Sequence, residues 1–421
     1  MQKGSKSWWN IPLPIRVVGF LIAGLALGLA FPKNHFVKEL YHSGTYFPKT
    51  IVTLAAFLIF NLLAAAMAKL MLFHKEKAGR LFGLILGVYV VMGTVSLIYA
   101  AVFLKVFTDI PMSLPGVSVP GAGAWFAQIG HTFAGVLSQQ PLLQALVGAM
   151  VIGWASARFP ALHRIAYTFI AVGDYILWVF KKLLWYYPIM IGCLAIGIPM
   201  KFGSKGMALY GKGVLWDMMI TCFWVIGMIL VCKFFTKRTW KQILSYYGTV
   251  WPTGFGTGGS YDTLAVNIIS AESDLGLDED IAEVSIVFGT VLNKNCATMS
   301  VFIVTLVVSK LLNIPISLME ITMLIPPVMI LGLESPGIPG GAGFFMSPII
   351  AVLLHVPDPA VYVTTFVACY SGLIPMFSTA GNTTDDGVVG ALLQDRFGNF
   401  LNKRKAESLP APAVAAAKAG D

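Results

Sequence analysis

Residues 291–301 read VLNKNCATMSV, which sets Asn293, Lys294 and Asn295 in the middle of an apolar, helix-like stretch running from about Ala282 to Val308. At ~1.5 Å rise per residue the lysine lies roughly 20 Å from either end, beyond the reach of a snorkelling side chain. An ammonium at that depth must face a protein interior, a water-filled cavity or a partner. The rest of the chain is read outward from this point.

The surroundings are membrane. Over 421 residues the chain is 57% hydrophobic and only 12% charged, with a mean hydropathy of +0.77, too apolar for a soluble protein of this length. Lys3, Lys6 and Arg16 precede an apolar run without a small-residue cleavage site, so this run is expected to be a first membrane helix. Cys193, Cys222, Cys232, Cys296 and Cys369 are scattered singly in apolar segments, a pattern of packing residues that implies neither a disulfide framework nor a zinc site.

Segments long enough to cross ~30 Å of hydrocarbon fall at about 14–31, 48–73, 81–107, 125–157, 164–199 and 207–235. His74, Lys75, Lys77 and Arg80 load the second loop, Arg158 and Arg164 the fourth, and Lys233, Lys237, Arg238 and Lys241 the sixth, whereas the loop at 109–124 has neither lysine nor arginine. The even loops and both termini are therefore expected on the cytoplasmic side of a multi-pass inner (plasma) membrane protein, with Lys33, Lys38 and Lys49 voting against. The net charge of +9 is thus a topological signal, and nucleic acid is not expected as a partner.

After residue 238 the texture changes. Residues 240–273 break between Trp251 and Asp262 in a Pro-Gly-rich run, which predicts two half-helices meeting at a glycine-rich tip rather than a span. A span at about 279–311 carries the opening stretch. The pattern then recurs: 316–355 holds two apolar arms around GLESPGIPGGAG (332–343), and 359–395 is expected to be broken in its middle by STAGNTTDDG (378–387). A hairpin and a polar-interrupted span, twice over and starting from opposite sides, predict inverted repeats whose breaks converge near the midplane, as in a secondary transporter. The tail from 398 to 421, with Lys403, Arg404 and Lys405 before an Ala-Pro-rich stretch, is expected to be cytoplasmic and disordered.

PGIPGGAG (336–343), GTVLN (289–293), Thr263–Leu264 and GNTTDDG (381–387) give the chain a resemblance to the dicarboxylate/amino acid:cation symporter family, which includes the glutamate transporters. The likeness covers the whole chain in topology and mainly 253–395 in residue detail. It implies an all-α polytopic fold of eight transmembrane helices plus two re-entrant helical hairpins. It also implies a homotrimer whose residues 1–238 supply mainly scaffold with some transport-domain elements, and whose residues 239–397 form a transport core that moves like an elevator.

Carried over by position, the resemblance implies a first alkali-cation site at Gly289, Asn293, Asn382 and Asp386, a hard-oxygen set suited to such an ion. A reading of Asp386 as merely paired with Lys294 stays open. The departures are sharper. Where the family has Asn-Met-Asp-Gly-Thr, this chain has Asn293, Lys294, Asn295, Cys296 and Ala297, so an acid is lost at Asn295 and an ammonium arrives beside it. Hydroxyl ligands of a further site fall at Val291, Gly332 and Ser335, of which only Ser335 keeps an oxygen. Two like charges about 4 Å apart repel by ~4 kcal/mol at an effective dielectric of 20, enough to weaken sodium about a thousandfold. Lys294 is thus expected to act as a built-in cation paired with Asp386, Asn293 or the hairpin carbonyls, with a structural ion pair as the alternative. The coupling set is Gly289, Asn293, Lys294, Asn295, Ser335, Asn382 and Asp386.

The anchors for an acidic amino acid fall on Pro375 and Ser378, which makes glutamate and aspartate poor candidates. Half-helix N-termini at the hairpin tips can still hold a carboxylate. The implied solute site therefore draws on Gly258, Gly259, Ser260, Tyr261, Lys294, Ala297, Ile338, Ser378, Thr379 and Asn382, with Asp262 and Glu334 either near it or capping half-helices. No nucleophile–base pair or metal cluster stands out, since His35, His42, His74, His131, His163 and His355 lie mostly near span ends, so an enzyme is not expected. The expected function is secondary active transport of a small carboxylate-bearing solute, sodium-independent or proton-coupled, with no cofactor beyond Na⁺ or H⁺. An ordinary cation-coupled symporter, an anion-conducting channel and a transport-like receptor are the alternatives.

Overall fold

Backbone amides in a hydrocarbon environment must be satisfied within the chain, and helices do this segment by segment. The computed structural model describes residues 13–73, 78–117, 121, 123–125, 127, 130–131, 134, 141–183, 185–332, 335 and 340–407, and every regular element among them is helical. In chain order these are α1 (Leu13–Ala30), α2 (His35–Phe73), α3 (Ala78–Phe107), α4 (Pro141–Arg158), a single 3₁₀ turn (Pro160–Leu162), α5 (His163–Leu183) and α6 (Tyr187–Phe235). Then come α7 (Trp240–Thr257), α8 (Ser260–Ser273), α9 (Glu279–Leu292), α10 (Asn295–Leu311), α11 (Leu318–Met323), α12 (Ile325–Gly332), α13 (Gly341–Leu353), α14 (Pro359–Tyr370) and α15 (Leu373–Glu407).

Among the described residues, Gly83–Phe107, Tyr187–Phe235 and Val284–Leu311 are long and apolar enough to cross a membrane, and the bent pair Pro359–Tyr370 with Leu373–Phe397 makes a fourth. The 49 residues of α6 are two helices meeting at Gly203 (φ 61°, ψ −158°), so the expected spans at 164–199 and 207–235 are divided at α5, the first part of α6 and its remainder. The span expected at 48–73 begins much earlier, at His35. Most of residues 125–140 and the basic residues His74, Lys75 and Lys77 lie outside the described residues.

Helices stand on either side of both expected tips. In the first, a capping box between Thr239 and Gln242 starts α7, Gly258 ends it in the left-handed region (φ 63°), and α8 returns from Ser260. In the second, α11 and α12 form one arm and α13 the other, with residues 333–334 and 336–339 outside the described residues.

The last span differs from expectation. STAGNTTDDG does not break it: α15 runs unbroken from Leu373 to Glu407, and the 68° bend lies earlier, at Ser371–Gly372. Gly372 has φ +91°, a conformation open to glycine and strained for other residues. The polar run stays helical because its hydroxyls bond back onto the helix, Ser378 to the Ile374 carbonyl at 2.7 Å and Thr383 to that of Thr379 at 2.9 Å. Residues 398–407 extend this helix instead of belonging to a disordered tail, and 408–421 lie outside the described residues.

α1 packs along α6, and α2 along α4 and α5, while α15 packs on α6, α7, α9 and α10. The Val284–Leu311 span is enclosed by protein over 94% of its most apolar window, so its polar residues meet protein and not lipid. At one end, Arg238 pairs with Asp395 at 3.2 Å and donates to the Gly276 carbonyl, and Asp395 accepts the Lys237 amide at 2.6 Å, tying the α6–α7 loop to α15.

Candidate functional site

The span that opened the sequence breaks at Asn293 and Lys294. Asn293 is extended (φ −87°, ψ 111°), Lys294 leaves helical geometry (φ −135°, ψ 29°), and the last carbonyls of α9 are left without amide partners. The buried Lys294 ammonium supplies them with hydrogens, donating to the carbonyls of Thr290 at 2.7 Å, Asn293 at 3.1 Å and Val291 at 3.4 Å. This is the negative end of a half-helix, where a cation is favoured. Of the expected partners of Lys294, Asn293 is met here through its backbone oxygen.

The Asn293 side chain faces α15. Its Nδ2 donates to the Asn382 carbonyl and to Asp386 Oδ1, both at 2.8 Å, and Asn382 Oδ1 in turn accepts the Cys296 amide at 2.8 Å. Tyr89 of α3 donates its hydroxyl to Asp386 Oδ1 at 3.3 Å. Gly289 closes the cluster from α9, and a Cβ there would run into the Asp386 carboxylate and come within 2.5 Å of the Tyr89 hydroxyl. The four residues expected to hold an alkali cation, Gly289, Asn293, Asn382 and Asp386, are therefore brought together, in a cradle that only glycine leaves open. All four are oxygen donors suited to a hard monovalent ion.

Asn295 looks the other way. Its Nδ2 donates to Asp385 Oδ2 at 3.3 Å, and the same oxygen accepts the Trp224 indole N–H of α6 at 2.9 Å. Asp385 Oδ1 is buried without a hydrogen-bond partner. The position that lost an acid thus touches a carboxylate on the neighbouring helix. Below it, Tyr246 of α7 donates to Asn267 of α8 at 2.6 Å, Asn267 donates to the Thr383 carbonyl at 2.8 Å, and the Gly387 amide donates to the Tyr246 hydroxyl at 3.1 Å. The first hairpin is bonded through these contacts to the polar run of α15.

On the solute side, Thr379 donates to the Gly258 carbonyl at 3.0 Å and fixes the first tip against α15. Gly259 is the N-cap of α8, Ser260 is its buried first residue, and Asp262 sits in its first turn. Tyr261 is half-buried at the tip. Ser378 is buried with its hydroxyl turned onto its own helix, and Ala297 is packed in the apolar core at the start of α10. Gly332 lies against Thr298, and Ser335 is buried with its hydroxyl unpartnered. Ile338 and Glu334 lie outside the described residues.

Tyr89, Trp224, Asp385 and Tyr246 hydrogen-bond into this cluster, although only Asp385 lies within a sequence motif. Asp385 had a signal in its neighbour Asp386; the aromatic residues had none, since aromatic side chains are ordinary packing in apolar helices.

Residues 13–396 match the family described as the sodium:dicarboxylate symporter family. The serine/threonine transporter SstT of Bifidobacterium adolescentis is 25% identical over 341 residues, covering 78% of this chain and 77% of the relative. The protein of the same name from Lacticaseibacillus paracasei is 24% identical over 403 residues, covering 90% of this chain and 88% of the relative.

Proposed function

The chain belongs to the sodium:dicarboxylate symporter family, a family of membrane transporters and not enzymes, and from that premise we propose that it is a secondary active carrier whose Lys294 ammonium stands in for a coupling cation. One observation carries this reading: the ammonium is bonded to the Asn293 carbonyl, one of the oxygens that the resemblance assigns to a cation, and to two further carbonyls of α9. A sodium ion sharing that oxygen would sit beside a fixed positive charge. Dependence on sodium is therefore weak or absent, and a proton gradient is the alternative driving force.

The solute is a small carboxylate-bearing molecule, held by the amide ends of α8 and α13 with Thr379 and Asn382 nearby. Serine and threonine are the first to test, since the relatives carry those names and Pro375 and Ser378 offer no charge to an acidic side chain. Residues 239–397 would form the moving core of a trimeric elevator with eight spans, with residues 1–238 mainly as scaffold and both termini in the cytoplasm of the inner membrane.

A second reading has its own support. The Gly289, Asn293, Asn382 and Asp386 oxygens remain in a compact cradle, which fits a one-cation symporter with Lys294 acting only as a cap of α9. Uptake of radiolabelled L-serine, L-threonine and succinate into proteoliposomes, with sodium or choline outside and with or without an inward proton gradient, separates the two. Accumulation above the outside concentration without sodium supports the built-in cation. Accumulation only with sodium favours the second reading, and equilibration without accumulation under every gradient means that no exchangeable ion drives uptake, as in a facilitative carrier or a channel.

A further inference from the structure

Asp217 lies in the middle of the long second part of α6, fourteen residues after Gly203 and eighteen before Phe235, or ~20 Å and ~27 Å along the helix. It is fully buried, and neither carboxyl oxygen has a hydrogen-bond partner. An ionised carboxylate sealed in this way would lack the donors and counter-charge that buried charges require.

The described residues around it offer hydroxyls and no cation. Ser300 of α10 faces it, but the Ser300 hydroxyl is already donating to the Cys296 carbonyl at 2.9 Å, which leaves only lone pairs toward Asp217. Thr221, one turn further along α6, is buried with its hydroxyl unpartnered and its methyl against Gly381 of α15. Among the described residues, the titratable groups within electrostatic reach of Asp217 are Cys222 on α6, Cys296 on α10 and Tyr370 on α14, and none is a cation. Lys212, the nearest lysine on the same helix, is exposed and within electrostatic reach of Asp109.

A metal cation fits this place poorly. Hard cations gather about six oxygens, and in this fold free carbonyls occur where helices break. Asp217 and Ser300 both sit inside continuous helical turns whose carbonyls are committed to the backbone ladder. A proton needs only one acceptor, and Ser300 Oγ is the oxygen that faces the carboxyl.

We propose that Asp217 is a proton-binding site of this carrier, separate from the Asn293–Asp386 cluster, whose carboxyl keeps its proton while it is sealed from water and releases it when water reaches it. The balance is simple: the carboxyl O–H bond breaks, water takes the proton, and the carboxylate left behind is stable only while hydrated. The link to transport rests on the carrier reading above; the presence of the proton does not.

Infrared spectroscopy of the purified full chain in lipid, wild type against Asp217→Asn, tests the proton directly. The expected difference is one protonated-carboxyl band present in the wild type at pH 7, where a free aspartate with a pKa of about 3.9 is ionised, and missing from the variant. Identical bands in the two proteins would overturn the proposal. Should Asp217→Asn fail to fold, Ser300→Ala serves instead: loss of the acceptor shifts the same band, and an unmoved band counts against the assignment. The transport link is read in proteoliposomes with a trapped pH dye and an inward L-serine gradient in sodium-free buffer. Luminal acidification in the wild type that is lost in Asp217→Asn, while radiolabelled serine exchange continues, supports it, and equal acidification in both refutes it. Absence of any serine movement in the wild type would count against the choice of solute, and the infrared result would stand by itself.

Discussion

Replacing Lys294 by methionine keeps most of the stem and removes the charge. In the wild type the ammonium donates to the carbonyls of Thr290 at 2.7 Å and Asn293 at 3.1 Å, with a weaker approach to Val291 at 3.4 Å. Hydrogen bonds from a charged donor contribute about 1.5–3 kcal/mol each, so loss of the two shorter ones destabilises the protein by roughly 3–6 kcal/mol before relaxation. The same change removes a repulsion of ~4 kcal/mol on any cation that shares the Asn293 oxygen, taken at about 4 Å and an effective dielectric of 20. Sodium affinity at the cradle should therefore rise by up to about a thousandfold. The assay is thermal unfolding of the purified protein over a series of sodium chloride concentrations at constant ionic strength, with choline as the replacement. Wild-type unfolding should be insensitive to sodium. Lys294→Met should unfold at lower temperature in choline and recover with sodium, since a ligand at a hundred times its Kd stabilises by about 2.7 kcal/mol. A sodium response that is the same in both proteins would refute the built-in cation.

Gly289→Ala drives a methyl into the Asp386 carboxylate and the Tyr89 hydroxyl, an overpacking that costs about 1–3 kcal/mol, and both thermal stability and solute uptake should fall together. Arg238→Ala removes the cationic partner of the Asp395 carboxylate, a side chain that is only 9% exposed, and the loss, up to about 3–5 kcal/mol for a broken buried pair, is read as a lowered unfolding temperature. Outside the membrane core, the Lys310 ammonium bonded to Asp109 holds that carboxyl below the usual carboxylate range. The pair's contribution is present above the ordinary value of about 3.9 and fades as the pH falls further. Because Asp109 is 83% exposed, Asp109→Asn should change stability by under about 1 kcal/mol at pH 7 and by less in high salt.

How far the site could be read from the chain depended on the kind of residue. Lys294 was legible because an ammonium inside an apolar run has few places to go, and Asn293, Asn382 and Asp386 because the resemblance to the symporter family assigns those positions to one cation site. The polar run at 378–387 suggested a break, yet its hydroxyls return their hydrogens to the helix, and the bend falls instead on Gly372, where a positive φ leaves no mark in hydropathy. Tyr89 and Trp224 carry no pattern that separates a hydrogen-bonding aromatic from a packing one. Asp217 has the same signature as Lys294, an ionisable side chain deep in an apolar helix, but no motif surrounds it, and only the orphaned oxygens give it meaning.

A charge that is bound covalently travels differently from one that is dissolved. A sodium ion taken up on one face and released on the other moves down its gradient once per cycle, and that descent is what lifts the solute. The Lys294 ammonium, held by the carbonyls of α9, makes any such crossing in company with its own chain and returns on the way back. Over a full cycle its net displacement is zero, so it can complete the electrostatics of the loaded state while transmitting no driving force. A carrier built this way equilibrates its solute unless a second, exchangeable ion is bound and released elsewhere in the fold.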